Sequence, residues 1–371
     1  MSVLGPAVAL APALCSALLH SAAMIPYFRP EAIDLIGPLK IQPFGVLLAI
    51  GFILGSLWCQ KYARRRGMDP KIYTDVLFWM ALGSMVFGHL GHIFYEPAEY
   101  MADPMKVFRI WEGLSSFGGY FGCTATCVWF FKSRGIKPLR GGDLLIIGAV
   151  FGIFVGRLGC FVVHDHIGTE VTDSHAVFQN TIGPLAVRYP TLEESAASGQ
   201  SAIDSGDRSA KSIRRSALAP GDGFCCPEDS SRSRCPCNEQ EALAVAGAWA
   251  EHYPPGAIGT VRYDLGLMDS LLGLFTFLVL IWFARKPRGE GMLLGLAPMV
   301  YMPVRLVLDS LRNTDLGGSS SDVRYVFDMT PGQIGAVILF GMGSWVVWRS
   351  RKLPSWPEPG TEPWLDSPSD K

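Results

Sequence analysis

Seven apolar stretches, separated by polar connections, run through this 371-residue chain. They lie at about 43–60, 72–95, 113–131, 142–163, 265–284, 291–311 and 331–348, long enough to cross a hydrocarbon core roughly 30 Å thick as helices. With 49% hydrophobic and 18% charged residues, the chain is too apolar for an ordinary soluble protein. The fold expected is therefore an all-α polytopic membrane protein of about seven transmembrane helices.

The basic residues set its orientation. Lys61, Arg64, Arg65 and Arg66 follow the first stretch, and Lys132, Arg134, Lys137 and Arg140 the third. Arg285, Lys286 and Arg288 follow the fifth, and Arg349, Arg351 and Lys352 the seventh. The other connections carry Glu96, Glu99, Asp103, Asp165 and Asp322. Because cytoplasmic loops retain Lys and Arg, the amino terminus is expected outside and the carboxyl terminus inside.

The chain then divides into an apolar segment 1–25, four spans within 26–163, an external head 164–264, three spans within 265–350 and a cytoplasmic tail 351–371. Segment 1–25 contains Pro6 and Pro12 and lacks a basic start, so it fits a secretory signal poorly. The stretch 191–256 is rich in Ser, Ala, Gly, Asp and Arg with little periodicity, and reads as a flexible insertion. Its Cys225, Cys226, Cys235 and Cys237 favour disulfides in an external compartment, with metal binding or free thiols as alternatives. Cys59, Cys123, Cys127 and Cys160 lie in the spans and read as small hydrophobes.

Arg157 and Arg305 lie inside apolar stretches. A guanidinium at the centre of an inserted helix costs about 2.5–3.5 kcal/mol, so such a residue faces the bundle interior and meets a partner. The topology puts Arg157, Arg305 and Asp269 at similar depth, near the external surface, with Asp309 and Arg312 following Arg305. One carboxylate neutralises only one of two arginines, and a phosphodiester head group matches the guanidinium fork. The plainer alternative is two bundle ion pairs, Arg157–Asp269 and Arg305–Asp309, the latter at helical i,i+4 spacing.

Glycines crowd the third and fourth stretches. Gly148, Gly152, Gly156 and Gly159 recur every three or four residues, as close helix packing requires. Ser115, Ser116, Phe117, Gly118 and Gly119 are less regular and are expected to form a turn lining a cavity. His164-Asp165-His166 follows the fourth stretch at the external interface. Two histidines do not make a metal site, whereas a histidine beside a carboxylate is apt as a proton acceptor. The alternative is a plain interfacial polar cluster.

These motifs together resemble the bacterial prolipoprotein diacylglyceryl transferases, from about Phe28 to Trp348 and excluding the Ser-rich insertion. Gly156-Arg157-Leu158-Gly159-Cys160-Phe161 is similar to the family's Gly-Arg-(Leu/Ile)-Gly-Asn-Phe, with Gly168 at a later glycine. Tyr301 and Arg305 match a Tyr-x-x-x-Arg element that precedes Arg312 and Asp315. Asp328 to Gln333 resembles the entry to the last helix, and Gly183-Pro184 through Pro190 a Pro-Trp…Phe-Pro strand. Gly266 to Asp269 sits where the family has Gln-Leu-Tyr-Glu.

The resemblance implies transfer of a diacylglyceryl group from phosphatidylglycerol to the lipobox cysteine of a prolipoprotein, in the bacterial cytoplasmic (inner) membrane, with glycerol phosphate released. It implies that Arg157 and Arg305 hold the phosphate, with Asp269 at a glutamate position and Asp143 at a further acid. Phe44, Ser116, Phe117, Gly118, Gly119, Cys160, Gly168, Tyr301 and Arg312 would line the substrate site. Phosphatidylglycerol, prolipoprotein signal peptides and membrane lipids are the partners expected; no cofactor, metal or nucleic acid is.

Several positions depart from the family pattern. Phe117 stands in place of a histidine, Phe44 of a tyrosine, Cys160 of an asparagine and Thr169 of an arginine. Either His164 or His166 then serves as base, or the chain binds lipid or lipoprotein without transferring the group. A transporter would instead show internal repeats, and none is visible.

Overall fold

The computed structural model describes residues 24–28, 30, 33, 34, 40–109, 113–171, 185–190, 257, 259–313, 329–353 and 355. Segment 1–23, the whole Ser-rich insertion 191–256 with its four cysteines, Asp315 and Asp328 lie outside the described residues. Eight helices are described: α1 (Pro43–Arg65), α2 (Lys71–Tyr95), α3 (Pro97–Ala102), α4 (Ser116–Ser133), α5 (Pro138–Val163), α6 (Leu265–Phe283), α7 (Met292–Asp309) and α8 (Pro331–Ser350).

Six of these (α1, α2, α5, α6, α7 and α8) are long and apolar enough to cross a membrane. The protein is a multi-pass membrane protein. The third expected span differs: α4 starts at Ser116 rather than 113, and its glycines, threonines and Lys132 leave it outside that set.

The chain folds as two compact units. One comprises residues 31–159, 269–307 and 331–371 and holds most of the helical bundle. Its core gathers Cys59, Tyr62, Tyr73, Phe130, Phe131, Leu144, Ile147, Phe277 and Leu280. Helices α1 and α5 meet at glycine, because a Cβ on Gly55 would stand 2.6 Å from the Gly148 carbonyl oxygen. Such contact is how small residues bind helices in a medium without hydrophobic driving force.

The amino-terminal ends of α5 and α7 are fixed by a buried carboxylate. Asp143 accepts hydrogen bonds from Gly291 N (2.7 Å) and Leu294 N (2.8 Å), capping the amino-terminal turn of α7 from the neighbouring helix. Orphan amides at a helix start and the positive end of its dipole make this a favourable place for an acid. Arg140 pairs with Glu290 beside it, with Arg140 Nε donating to Glu290 Oε1 at 2.9 Å. Asp143 is thus a structural acid.

The other unit comprises residues 1–30, 160–268 and 308–330. Its four-stranded sheet runs β1 (Ile25–Pro26), β5 (Ala186–Arg188), β6 (Val261–Asp264), β4 (Ile167–Glu170). β5 pairs parallel with β1 and antiparallel with β6, and β6 pairs antiparallel with β4 across an irregular register. Two further short strands, β2 (Ile33–Asp34) and β3 (Lys40–Ile41), pair with each other. The sheet is a departure from an all-helical reading: strands of two to four residues are too short to show a period in sequence.

Candidate functional site

The capping by Asp143 sets the level of two arginines. Arg157 lies fourteen residues along α5 from Asp143, and Arg305 fourteen beyond Gly291. At 1.5 Å per residue both stand about 21 Å from that shared anchor. Helix α6 is placed against α5 by Ser270, whose hydroxyl donates to the Phe154 carbonyl at 2.9 Å. Gly273 permits the approach, because a Cβ there would be 3.1 Å from Phe154 Cα. Asp269, next to Ser270, is thereby carried to the level of Arg157.

The result is one carboxylate between two guanidiniums. Arg157 Nε stands 3.6 Å and Arg305 Nε 3.3 Å from the same oxygen, Asp269 Oδ2. Asp269 is fully buried, whereas the arginine side chains keep 26% and 15% of their surface. Both guanidiniums therefore share a buried acid while keeping part of their own surface exposed. Tyr301, one turn before Arg305 on α7, lies within electrostatic range of Asp269 and both arginines. Pro303 interrupts α7 beside Arg305 and withdraws an amide from the helix ladder there.

The Arg305–Asp309 alternative gives way to another arrangement. Asp309 accepts the Thr330 hydroxyl and lies 3.7 Å from Arg312 Nη1, while Arg305 faces Asp269.

A model of the family described as prolipoprotein diacylglyceryl transferase matches residues 30–349. The chain belongs to this family. It is 26% identical to the phosphatidylglycerol–prolipoprotein diacylglyceryl transferase of Caulobacter vibrioides over 338 residues, covering 86% of this chain and 90% of that protein. The enzyme of the same name from Xylella fastidiosa is 26% identical over 329 residues, 86% of this chain and 92% of its own. In Pseudomonas fluorescens the identity rises to 33%, over 146 residues that cover 38% of this chain and 53% of the relative. For that relative the match spans about half its length.

Other residues singled out from the transferase motifs fall in several places. Ser115 caps α4, its hydroxyl accepting from Gly118 N at 3.5 Å, and Ser116 begins the helix. Gly118 and Gly119 are therefore in a helical turn rather than a cavity-lining loop. A Cβ on Gly118 would collide with the Phe87 carbonyl of α2, and one on Gly119 would stand 3.0 Å from Ser84 Oγ. Phe117 points outward, 61% exposed. Phe44 packs against Gly159, where a Cβ would meet its ring at 3.2 Å.

In the sheet unit, Gly168 bridges Arg312, and a Cβ there would press on Leu311 O at 2.8 Å and Tyr263 O at 2.9 Å. Only glycine fits that position.

The two histidines separate sharply. His164 is buried, with Nδ1 2.9 Å from Asp264 Oδ2 and Nε2 2.9 Å from the Phe28 carbonyl oxygen. Both neighbours are acceptors, so the ring is held between a carboxylate and a carbonyl. Tyr27 stacks on the ring at 4.7 Å, and Phe28 and Phe161 meet it edge-on. Asp264 also accepts from Leu267 N at 3.0 Å, capping α6 with its second oxygen. Beside this group, burial pushes the Tyr189 phenol well above its ordinary range, and the Asp264 charge adds to that.

His166 is partly exposed, with Nδ1 3.3 Å from Asp165 Oδ2. Cys160, Asp165 and His166 bring one donor atom each within 4.8 Å of one another. The sequence reading of the His-Asp-His triplet did not include Cys160, because it placed that thiol among the small hydrophobes of a span.

Proposed function

We propose that this chain transfers the diacylglyceryl group of phosphatidylglycerol to the lipobox cysteine of a prolipoprotein, at the outer face of the bacterial cytoplasmic membrane. The observation that carries the reading is the convergence of Arg157 and Arg305 on one oxygen of Asp269. Two partly exposed guanidiniums at one point suit a phosphodiester, because the planar guanidinium fork matches phosphate oxygens. Relatives that carry this enzyme name in Caulobacter and Xylella, matched across most of their length, support the same substrates.

In the reaction the acceptor thiolate attacks the glyceryl carbon that bears the phosphate. A C–S bond forms, the C–O bond to phosphate breaks, and glycerol phosphate leaves with the bonding electrons. Its phosphate gains one negative charge as the bond breaks. Two fixed guanidiniums stabilise that growing charge more than the starting diester, and this difference lowers the barrier. Asp269 orients both guanidiniums from its buried position. Tyr301 lines the same cluster.

The thiol must lose its proton. Of the two histidines expected as base, the role is assigned to His166, which has Asp165 beside it; His164 is a positioning residue for the turn that carries His166. Complementation of a strain depleted of its own transferase tests the reading. The wild-type chain is expected to restore growth, and Arg157→Ala or Arg305→Ala to abolish rescue. Failure of the wild-type chain, at normal membrane abundance, would reject transfer in favour of lipid or lipoprotein binding alone.

A further inference from the structure

Helix α5 ends at Val163, and His164 then takes a left-handed backbone conformation, φ +51°. It is the one non-glycine residue with positive φ among the described residues. Such backbone is uncommon for a residue other than glycine, although histidine adopts it more readily than most. Here Asp264 and the Phe28 carbonyl hold the imidazole from both sides. The turn folds the chain back over the helix end, with Asp165 N donating to Cys160 O at 3.1 Å and Leu265 N to His166 O at 3.0 Å. Its consequence is to bring a thiol, a carboxylate and an imidazole together.

We propose that Cys160, Asp165 and His166 form a binding site for a divalent transition metal of the zinc class, with a fourth position open. Thiolate, imidazole and carboxylate are the donor types that such an ion takes. For metal–ligand bonds of about 2.0–2.3 Å, tetrahedral donors stand about 3.3–3.6 Å apart. The His166–Asp165 pair is at 3.3 Å already, and the whole set lies within 4.8 Å, so closure needs a side-chain adjustment of about 1 Å.

His166 Nδ1 is a buried atom that makes no hydrogen bond despite that nearby carboxylate. A buried polar atom left so is costly, and a metal ion would satisfy it. Cys160 is buried, whereas the Asp165 side chain is 65% exposed, which leaves an entry path on that side. A metal-bound imidazole cannot also accept a proton at the same nitrogen, so metal occupancy and proton transfer by His166 exclude each other.

The test uses the full chain in detergent micelles, stripped with a chelator and titrated with Co²⁺ alone and then Zn²⁺ alone. Cys225, Cys226, Cys235 and Cys237 are first changed to Ser, so that thiols of the insertion cannot contribute. One Co²⁺ per chain is expected, with a thiolate-to-cobalt charge-transfer band that Zn²⁺ displaces. Cys160→Ser is expected to remove the band. Asp165→Asn, at an exposed position, and His166→Gln should weaken binding at least about tenfold, the lower bound for losing even an outer-shell partner.

Should Cys160→Ser fail to fold, protection of Cys160 from alkylation by Zn²⁺ in the otherwise unaltered background gives the same answer. Absence of stoichiometric binding, or a band that survives Cys160→Ser, overturns the proposal. Neither outcome bears on the arginine cluster, whose test is complementation.

Discussion

Arg157 and Arg305, from helices α5 and α7, direct their Nε atoms at a single oxygen, Asp269 Oδ2, from 3.6 and 3.3 Å. Both guanidiniums keep an exposed edge beside that buried acid. That shared geometry, more than either residue alone, is what would suit the cluster to a phosphate. It also fixes what removal of each member should do.

Asp269→Asn is expected to destabilise the fold, because it leaves two guanidiniums facing each other without their acid. Removing one partner of a buried ion pair costs about 3–5 kcal/mol, and the partial exposure of both arginines puts this case near the lower end. Thermal unfolding in micelles measures it. Added phosphatidylglycerol should return part of the lost Tm, since its phosphate supplies the missing negative charge. An unchanged Tm would mean that Asp269 contributes nothing to holding the arginines.

His164 and His166 are expected to respond in opposite ways. His164→Asn keeps a residue type that tolerates the left-handed backbone but loses the paired contacts to Asp264 and Phe28. Its Tm should fall, while kcat per folded molecule stays within a few-fold of wild type. His166→Ala should leave Tm nearly unaltered and lower kcat by about 10²–10⁴, the range for a general base. Parallel Tm and transfer measurements decide between the two roles.

Helix packing gives a prediction independent of the chemistry. Gly55→Ala would put a methyl 2.6 Å from a backbone oxygen of Gly148, which cannot move without shifting α5. A cost of about 1–3 kcal/mol is expected from overpacking, read as a drop in Tm. Gly341→Ala on α8 has nothing within 4 Å of the added atom and should be tolerated.

Much of this was legible in the sequence. Helix ends fell within a few residues of expectation for α2, α6, α7 and α8, because mean hydropathy and basic flanks mark a span directly. The cost of burying a guanidinium pointed to Arg157 and Arg305 before any contact was known. Other features depend on residues far apart in the chain. Asp264, which holds His164, lies 100 positions away, and no local pattern announces it. The grouping of Cys160 with Asp165 and His166 needs a left-handed histidine, which sequence does not signal as a glycine would. The start of α4 at Ser116 was readable from Ser115, a favoured capping residue, but adjacent glycines suggested a turn.

The central claim is that both arginines grip one phosphate. The decisive measurement is in vitro transfer from labelled phosphatidylglycerol to a lipobox peptide by the wild type, Arg157→Ala, Arg305→Ala and the double variant. Each single change is expected to lower kcat by about 10²–10³, as for loss of one preorganised donor to a developing anion. The double change should cost far less than the product of the two, because groups that act as a unit are not additive. Single variants that keep wild-type rates, or losses that multiply cleanly, would contradict a shared phosphate.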